Sequence, residues 1–441
     1  MRKLALPLGL FILGLLTACG LLPQATPQVT ESPTPSALSP AATSLVLTPV
    51  GTIITVVEAS PTPMSLRLWT TEEISPRSEV RGGAVLVEQL EAFQSLHPEL
   101  MFDVQLKTIV GQGSILNYLR TGRSVAASIL PDVVLLPANQ LEMAAQEGLI
   151  YPLDSLIAPE MVSDLYPAAA NLSRVNNVLM GYPFTLVGVE HIAYDSTAIT
   201  TTFPITWTAM INQENSTFVF PAGDDSGSRF MLQLYLALGG ELTNVAGQPN
   251  LQLEPLVQAL MFLQQGRQTG VLLSESDNLT TSADTWQMFQ TGMVNVIPIG
   301  VRHFLDNRAF VPDSQYTMVP GPDEPLMPLV EAWVWAVTTP DPTRQALAVE
   351  LISWLSRDAT MGNWTMVAAQ LPARRSAFAF WTVEPGYVRF LQTQLELAAP
   401  LPAAATQTVI TALNNAAYAV IEGSRTVESA AAEAVEAVIH N

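Results

Sequence analysis

One short run of residues constrains the fold of this chain more than any other feature of its sequence. Residues 131–136 read Pro-Asp-Val-Val-Leu-Leu, which is typical of a strand buried on both faces. Such strands occur in parallel sheets that are covered by helices on both sides. The run therefore predicts an α/β fold in which strands and helices alternate.

The neighbouring segments fit this alternation. Leu86, Leu90 and Phe93 are spaced to share one face of a helix that Pro98 ends, and a later helix stops at Gly148. The patterns predict strands at residues 66–69 and 102–106 and helices at 84–96, 114–120 and 139–147. Ligands of such sheets bind beyond the carboxyl ends of the strands, which draws attention to the loops after residues 69 and 136.

The first 19 residues have the features of a secretory signal. Arg2 and Lys3 precede an apolar run over residues 4–16, which is short for a bilayer span of about 20 residues. The ending Leu-Thr-Ala-Cys resembles a lipobox, in which the cysteine becomes the lipidated first residue. Cys19 is the only cysteine of the chain. The alternative is an ordinary signal peptide with an incidental cysteine.

The composition changes twice along the chain. Residues 20–63 are rich in Pro, Thr, Ser and Ala with almost no charge, which indicates an extended tether. The remaining residues, 64–441, exceed one ordinary core and predict two domains. The net charge of −20 argues against nucleic-acid binding. Only Lys107 remains as a lysine after residue 19, which argues against a polybasic membrane patch, so the membrane link rests on the lipid.

The order of several motifs resembles a known family. Residues 93–100 read F-Q-S-L-H-P-E-L, 147–154 read E-G-L-I-Y-P-L-D, 204–207 read P-I-T-W and 371–374 read L-P-A-R. Over residues 65–438 this order resembles the extracellular solute-binding proteins that serve ABC importers, in the carbohydrate-binding family that includes the maltose-binding protein.

The resemblance implies a two-lobed periplasmic-binding-protein-like fold of type II. In it, mixed sheets flanked by helices form two lobes that close on a ligand about a hinge. The expected segments are the signal peptide 1–19, the tether 20–63, lobe 1 over 64–183, lobe 2 over 184–332, a lobe 1 return over 333–369 and C-terminal lobe 2 helices over 370–441.

Aromatic residues in such clefts cover the apolar face of a sugar ring. The resemblance places Trp69 after the first strand, Trp333 near the cleft and Phe184 at the first crossing between lobes. Thr70 follows Trp69 in the same loop. The alternative for Trp69 is that it caps the core.

Polar candidates come from the same comparison. Arg302 stands where the family usually carries an aromatic residue, and its planar guanidinium suits a carboxylate, a phosphate or vicinal hydroxyls. His303 follows it, Arg229 follows a loop that faces the cleft in relatives, Glu331 precedes Trp333, and Asn139 lies beyond the buried strand. The alternatives are a paired surface arginine, a surface histidine, a solvated strand end for Glu331 and a helix N-cap for Asn139.

Enzyme patterns do not match. Residues 223–227 read G-D-D-S-G, which echoes a serine protease motif, but the all-β pattern of that family is absent. No metal-binding or ATPase motif occurs, so we expect no metal, no cofactor and no catalysis.

The resemblance predicts a lipid-anchored, extracytoplasmic and monomeric receptor for a carbohydrate or related small polar solute. Its other partner would be the transmembrane subunits of an ABC permease. The loop over residues 70–73 lacks a second aromatic, which keeps a small polar or anionic ligand in competition with a large oligosaccharide. A non-transport or sensory binding protein on the same fold is the alternative.

Overall fold

A computed structural model describes residues 64–125, 129–222, 229–279 and 281–440. The expected signal peptide, the tether and Cys19 lie outside the described residues, as does the loop 223–228 before Arg229. The strands of the described part are β1 Met64–Thr70, β2 Leu100–Leu106, β3 Val133–Pro137, β4 Arg174–Val175, β5 Val178–Leu179, β6 Tyr182–Val187, β7 Glu190–Asp195, β8 Val296–Gly300, β9 Ser314–Thr317, β10 Leu329–Val337, β11 Leu371–Pro372 and β12 Ala399–Pro400.

The α-helices alternate with these strands and then dominate the last third of the chain. They are α1 Gly83–Leu96, α2 Ile115–Val125, α3 Leu141–Gln146, α4 Pro159–Ser163, α5 Pro167–Leu172, α6 Trp207–Ile211, α7 Phe230–Ala237, α8 Leu253–Thr269, α9 Ser282–Gln290, α10 Val301–Asn307, α11 Pro342–Leu355, α12 Asp358–Ala368, α13 Pro385–Leu397, α14 Gln407–Glu422 and α15 Val427–Ile439. In the part of the chain that the structure describes, none of them combines the length and the apolar character that a bilayer span requires.

The larger sheet has the strand order β11-β6-β10-β3-β1-β2, and β12 pairs with β10 at one end. β1 runs parallel to β2 and β3, whereas β10 runs antiparallel to β3 and β6. The predicted buried strand is the centre of this sheet, since the four residues of β3 before Pro137 have no exposed surface. The expected mixed sheet flanked by helices is confirmed.

Helix α1 shows why these segments cover the sheet. Its buried side chains are Leu86, Leu90 and Phe93, as the helical spacing predicts, and Gly83 is buried as well. Phe93 also packs against Trp354 of α11 with ring centroids 6.2 Å apart. Aromatic contacts therefore join early and late parts of the chain in one core.

The smaller sheet consists of β8, β7 and β9, all antiparallel. Helix α13 covers one side of it, where the Tyr387 hydroxyl lies 2.8 Å from Nε2 of the fully buried His191. Helices α7, α8, α14 and α15 surround a second core with Phe218 and Trp207. The two sheets thus belong to two halves, which we call the large-sheet half and the small-sheet half.

Five connections of the described chain pass between these halves, the last two being α13 to β12 and β12 to α14. The first joins β6 to β7 through Gly188, the second joins β9 to β10, and the third joins β11 to α13. The boundary expected at residue 184 falls inside β6. The expected crossing near residue 370 precedes β11, which still pairs with β6 at Leu371. The 3₁₀ helix Ser376–Phe380 also stays with α12, because Trp381 donates a hydrogen bond of 3.2 Å to Thr365.

Candidate functional site

Two cavities are lined by residues of both halves. The first, here the Arg302 cavity, has a volume of about 350 Å³, and the second, the Asn139 cavity, about 460 Å³. The side chains that line the Arg302 cavity and carry its polar chemistry are Glu73, Glu190, Arg229, Arg302, Trp333 and Gln370. The Asn139 cavity is lined by Asn139, Leu172, Arg229, Leu232, Glu331 and Ile410 among others.

Arg229 lines both cavities and marks the boundary between them. It comes from the small-sheet half, directly before α7, and its guanidinium forms an ion pair with Glu331 of β10. Its Nη1 atom also donates to the Leu329 carbonyl at 3.0 Å. Charged hydrogen bonds of this kind fix a planar guanidinium in one orientation. The predicted residues Arg229 and Glu331 are therefore brought together, and Glu331 is neither free nor merely a solvated strand end.

Gly188 brings the first crossing segment close to this ion pair. Its φ of +94° lies in the left-handed region, which favours glycine. A Cβ at this position would overlap the Arg229 guanidinium. The sequence Val-Gly-Val-Glu thus allows the crossing segment to pass against Arg229 and to place Glu190 at the cavity wall.

Glu190 is a site residue that the sequence prediction missed. Its side chain is partly exposed, but its Oε2 atom is covered and has no hydrogen-bond partner among the described residues. Burial raises the pKa of this carboxyl to about 7, although the Arg229 guanidinium and a backbone hydrogen bond from Arg229 act in the opposite direction. The only sequence signal was an acidic residue that opens a strand directly after a glycine-containing crossing.

Gln370 was missed as well, and it lines the Arg302 cavity, as Trp333 does. The Gln370 side chain is 9% exposed, and its Oε1 atom is covered without a partner in the described part of the chain. It follows Ala369, whose φ of +50° ends α12 with a left-handed residue. Trp333 is 7% exposed, so only a small part of its ring is available to a ligand.

Arg302 and His303 follow each other at the start of α10 but differ in environment. Arg302 is exposed, lines the first cavity and has no ion pair with any described residue. His303 lines neither cavity. Its ring packs edge-on against Trp286 with centroids 5.7 Å apart, and burial lowers the pKa of its imidazole. The structure therefore brings Arg302, but not His303, to the cavity wall.

Asn139 is exposed and lines the second cavity. It lies within a 3₁₀ turn, Ala138–Gln140, that continues into α3, and the N-cap position of α3 is Gln140. The N-cap alternative for Asn139 is therefore wrong, because α3 begins at Leu141 and the residue before it is Gln140.

Besides His303, three more predicted residues lie outside both cavities. Trp69 is 3% exposed, packs edge-on against Tyr118 and lies under the Lys107 ammonium, which is 5.0 Å from its ring centroid. Thr70 is fully buried and donates a hydrogen bond to the Ile74 carbonyl, which closes the loop after β1. Trp69 therefore caps the core, which is the alternative that the sequence analysis gave for it.

Phe184 also lies away from the cavities. It is fully buried, with ring centroids 5.5 Å from Trp335 and 4.7 Å from Trp364. Strand β6 is covered on both faces at this point, so Phe184 has no face left for a ligand. Its prediction as a contact residue is corrected to a core position.

The described side chains do not form a metal-binding group. Within residues 64–125, 129–222, 229–279 and 281–440, no three His, Cys, Asp or Glu side chains are grouped so that they could hold a metal ion. The cavity walls instead offer hydrogen-bond donors, acceptors and one aromatic edge. Such a wall suits the reversible binding of a small polar molecule.

Comparison with known proteins gives one family match. A family model described as "Bacterial extracellular solute-binding protein" matches residues 92–387. No curated protein is similar enough in sequence to be matched to this chain.

Solved structures share the fold. An extracellular solute-binding protein of family 1 from Alicyclobacillus acidocaldarius superimposes with a TM-score of 0.68 at 16% identity, over 87% of this chain and 99% of that chain. The sugar-binding protein MalE from Xanthomonas citri gives 0.67 at 16% identity, over 86% and 97%. Maltose-bound MalE3 from T. maritima gives 0.63 at 17% identity, over 85% and 99%. At these identities the likeness shows the fold alone, and the expected type II binding-protein fold is confirmed.

Proposed function

Because the chain belongs to the family of bacterial extracellular solute-binding proteins, we propose that it captures one small polar solute between its two halves. It performs no chemistry on the solute and delivers it to the transmembrane subunits of an ABC importer. We propose further that the solute is a carbohydrate or a close relative, and that lipid on Cys19 anchors the protein to a membrane with residues 20–63 as the tether.

The observation that carries this proposal is the position of Arg229 and Glu331. Their ion pair joins the two halves, Arg229 lines both cavities, and Glu331 lines the Asn139 cavity. A solute in either cavity contacts both halves at once. Closure about a hinge is favoured only by such shared contacts.

Three features of the cavity walls support a carbohydrate. Trp333 offers an aromatic edge, while Arg302 and Gln370 are planar groups that can exchange hydrogen bonds with hydroxyls. Asn139 adds an exposed amide in the second cavity. Of the structural relatives, the T. maritima protein was solved with maltose bound.

The test is a binding screen on the purified protein by differential scanning fluorimetry, followed by isothermal titration calorimetry. The probes are maltose, glucose, trehalose, sorbitol and glucosamine, with glycerol and sodium sulfate as non-specific controls. A solute bound at 100 times its Kd stabilises the folded protein by about 2.7 kcal/mol. We therefore expect at least one probe to raise Tm and to titrate with a stoichiometry of one.

A matched variant ties the binding to this site. Ile410→Asp and Arg302→Gln alter the walls of the two cavities, whereas Glu254→Gln alters an exposed carboxylate of α8 outside both cavities. The proposal predicts that a wall variant weakens binding and that Glu254→Gln does not. A probe that is consumed by the protein, or binding that neither wall variant changes, would contradict it.

A further inference from the structure

Two covered oxygen atoms in the Arg302 cavity lack a hydrogen-bond donor among the described residues. They are Oε2 of Glu190 and Oε1 of Gln370. Covered polar atoms are nearly always paired in native proteins, so the partner of each of these two atoms is water or a bound molecule. Gln370 Oε1 is an acceptor, and so is Glu190 Oε2 when the carboxyl is ionised, so a partner of both atoms must supply donors.

The charge of Glu190 narrows the choice of partner. A carboxylate that loses water is stabilised by an adjacent cation, and the nearest candidate is Arg229. The Arg229 guanidinium is already engaged by Glu331 and by the Leu329 carbonyl. Its remaining direct contact with Glu190 is a backbone hydrogen bond. The carboxylate is therefore only partly compensated by the protein.

A hydroxyl and an ammonium group would satisfy this site differently. A hydroxyl donates one hydrogen bond, whereas an ammonium carries three donors and a full positive charge. The positive charge of Arg302 disfavours a bound cation, but the Arg302 side chain is exposed, so water screens this repulsion. Coulomb energies are roughly fourfold weaker in water than at the effective dielectric constant of about 20 that applies near buried groups. The covered Glu190 carboxylate therefore outweighs the exposed guanidinium.

Resting on the proposed function, we infer that the Arg302 cavity binds an amine-bearing polyol, that is, an amino sugar or a close analogue. Its ammonium donates to Glu190 and Gln370, and its hydroxyl oxygens accept from Arg302. Trp333 covers part of the apolar face of the ring. The net charge of −20 also raises the local concentration of cationic solutes near the protein.

The experiment compares D-glucosamine with D-glucose, which has a hydroxyl in place of the amine, by isothermal titration calorimetry at pH 7. We expect glucosamine to bind at least about tenfold more tightly than glucose, which corresponds to about 1.4 kcal/mol. In Glu190→Gln, which keeps the shape and removes the charge, the ratio should fall to about one. Glu254→Gln also removes one carboxyl group, lies outside the cavities and should keep the ratio.

Proton linkage gives a second readout that a structural role of Glu190 would not produce. An ammonium favours the ionised carboxyl, so glucosamine should displace a proton from Glu190 when it binds. Titrations in buffers of different ionisation enthalpy measure this release. The other titratable groups at the cavity are Glu73, Arg229 with its partner Glu331, and Arg302, and all of them remain in Glu190→Gln. The proton release should therefore be larger in the wild type than in this variant.

Equal affinities for the two sugars, an unchanged ratio in Glu190→Gln, or no glucosamine binding at millimolar concentration would each overturn the inference. The proposed function would survive these results if maltose, trehalose or another neutral probe bound with a stoichiometry of one. Its own failure would be seen as binding that no variant of the cavity walls affects.

Discussion

The Arg229 guanidinium reaches from one half of the molecule to the Glu331 carboxylate of the other, and Arg229 lines both cavities. The pair is only partly covered, with 20% of the Arg229 side chain and 37% of the Glu331 side chain exposed. The pair joins the two halves, so closure of one half against the other would change its surroundings.

Replacement of Arg229 by Gln should destabilise the protein by about 1–2 kcal/mol, because two charged hydrogen bonds are lost from a half-covered site. Urea unfolding measures this change. The control is Arg425→Gln, which removes an exposed pair with Glu433 and should cost less than Arg229→Gln. Equal losses in both variants would show that the pair between the halves adds nothing special.

Substitution of Gly188 by Ala should displace the Arg229 guanidinium as well as strain the backbone. Gly247 has a similar φ of +75° but open space around it, so Gly247→Ala isolates the backbone cost of about 1–2 kcal/mol. Gly188→Ala should lose about 1–2 kcal/mol more than this control. If urea unfolding shows the same loss of stability for both variants, the close contact between Gly188 and Arg229 does not contribute to stability.

Tryptophan fluorescence should report solute binding through Trp333 and not through Trp69. Trp333 lines the Arg302 cavity, whereas Trp69 is enclosed by Lys107 and Tyr118. Trp333→Phe should remove most of the fluorescence change and weaken binding by about 0.5–1.5 kcal/mol. Trp69→Phe should keep both the change and the affinity. The reverse pattern would return Trp69 to the site.

Acid should destabilise the small-sheet half through His191. The Ile192 carbonyl, 3.0 Å from Nδ1, can only accept, so Nδ1 donates and Nε2 accepts from the Tyr387 hydroxyl. Burial lowers the pKa of His191 to about 4, whereas the unfolded chain takes up this proton near pH 6.5. Stability is therefore present above pH 6.5 and is lost as the pH falls towards 4, by up to about 3 kcal/mol.

The measurement is urea unfolding of wild type and His191→Gln from pH 4 to 8. The variant should show a shallower fall on the acid side, and His440→Gln, an exposed position, should match the wild type. A slope unchanged by His191→Gln would assign acid unfolding to other groups. Glu190 acts in the opposite sense, since its raised pKa makes stability fall as the pH rises from about 4.5 to 7.

Lipid attachment is tested by Cys19→Ser in a bacterial host. Without a thiol at this position no acyl chain can be attached, and the protein should move from the membrane fraction to the soluble extracytoplasmic fraction. Solute affinity should stay the same, because the cavities lie in residues 64–440. Membrane association that persists in the variant would contradict the proposed anchor.

Sequence patterns predicted the architecture well where burial follows a simple period. The strand at residues 131–136 and the helix with Leu86, Leu90 and Phe93 appear nearly as expected, since apolar spacing alone fixes which face is covered. Crossings between the halves were harder to locate. Their positions depend on pairing between distant strands, such as Leu371 with Leu186, which no local pattern records.

Cavity-lining residues were predicted when a charged group stood in an unusual place, as with Arg302, and missed when burial was the decisive property. Glu190 looks like an ordinary acidic start of a strand, and only the folded chain covers its Oε2 atom. Phe184 was misplaced for the same reason, because a crossing strand can be enclosed on both faces. Covering of single atoms depends on tertiary packing and has no period in the sequence.

The connections between the halves have a mechanical consequence. A single covalent joint would let one half rotate and slide freely against the other. Several joints at separate points along the boundary oppose torsion and translation, and they leave bending about a common line as the softest motion. Thermal motion of the halves should therefore mainly change one distance, the width of the gap in which a captured molecule would be held.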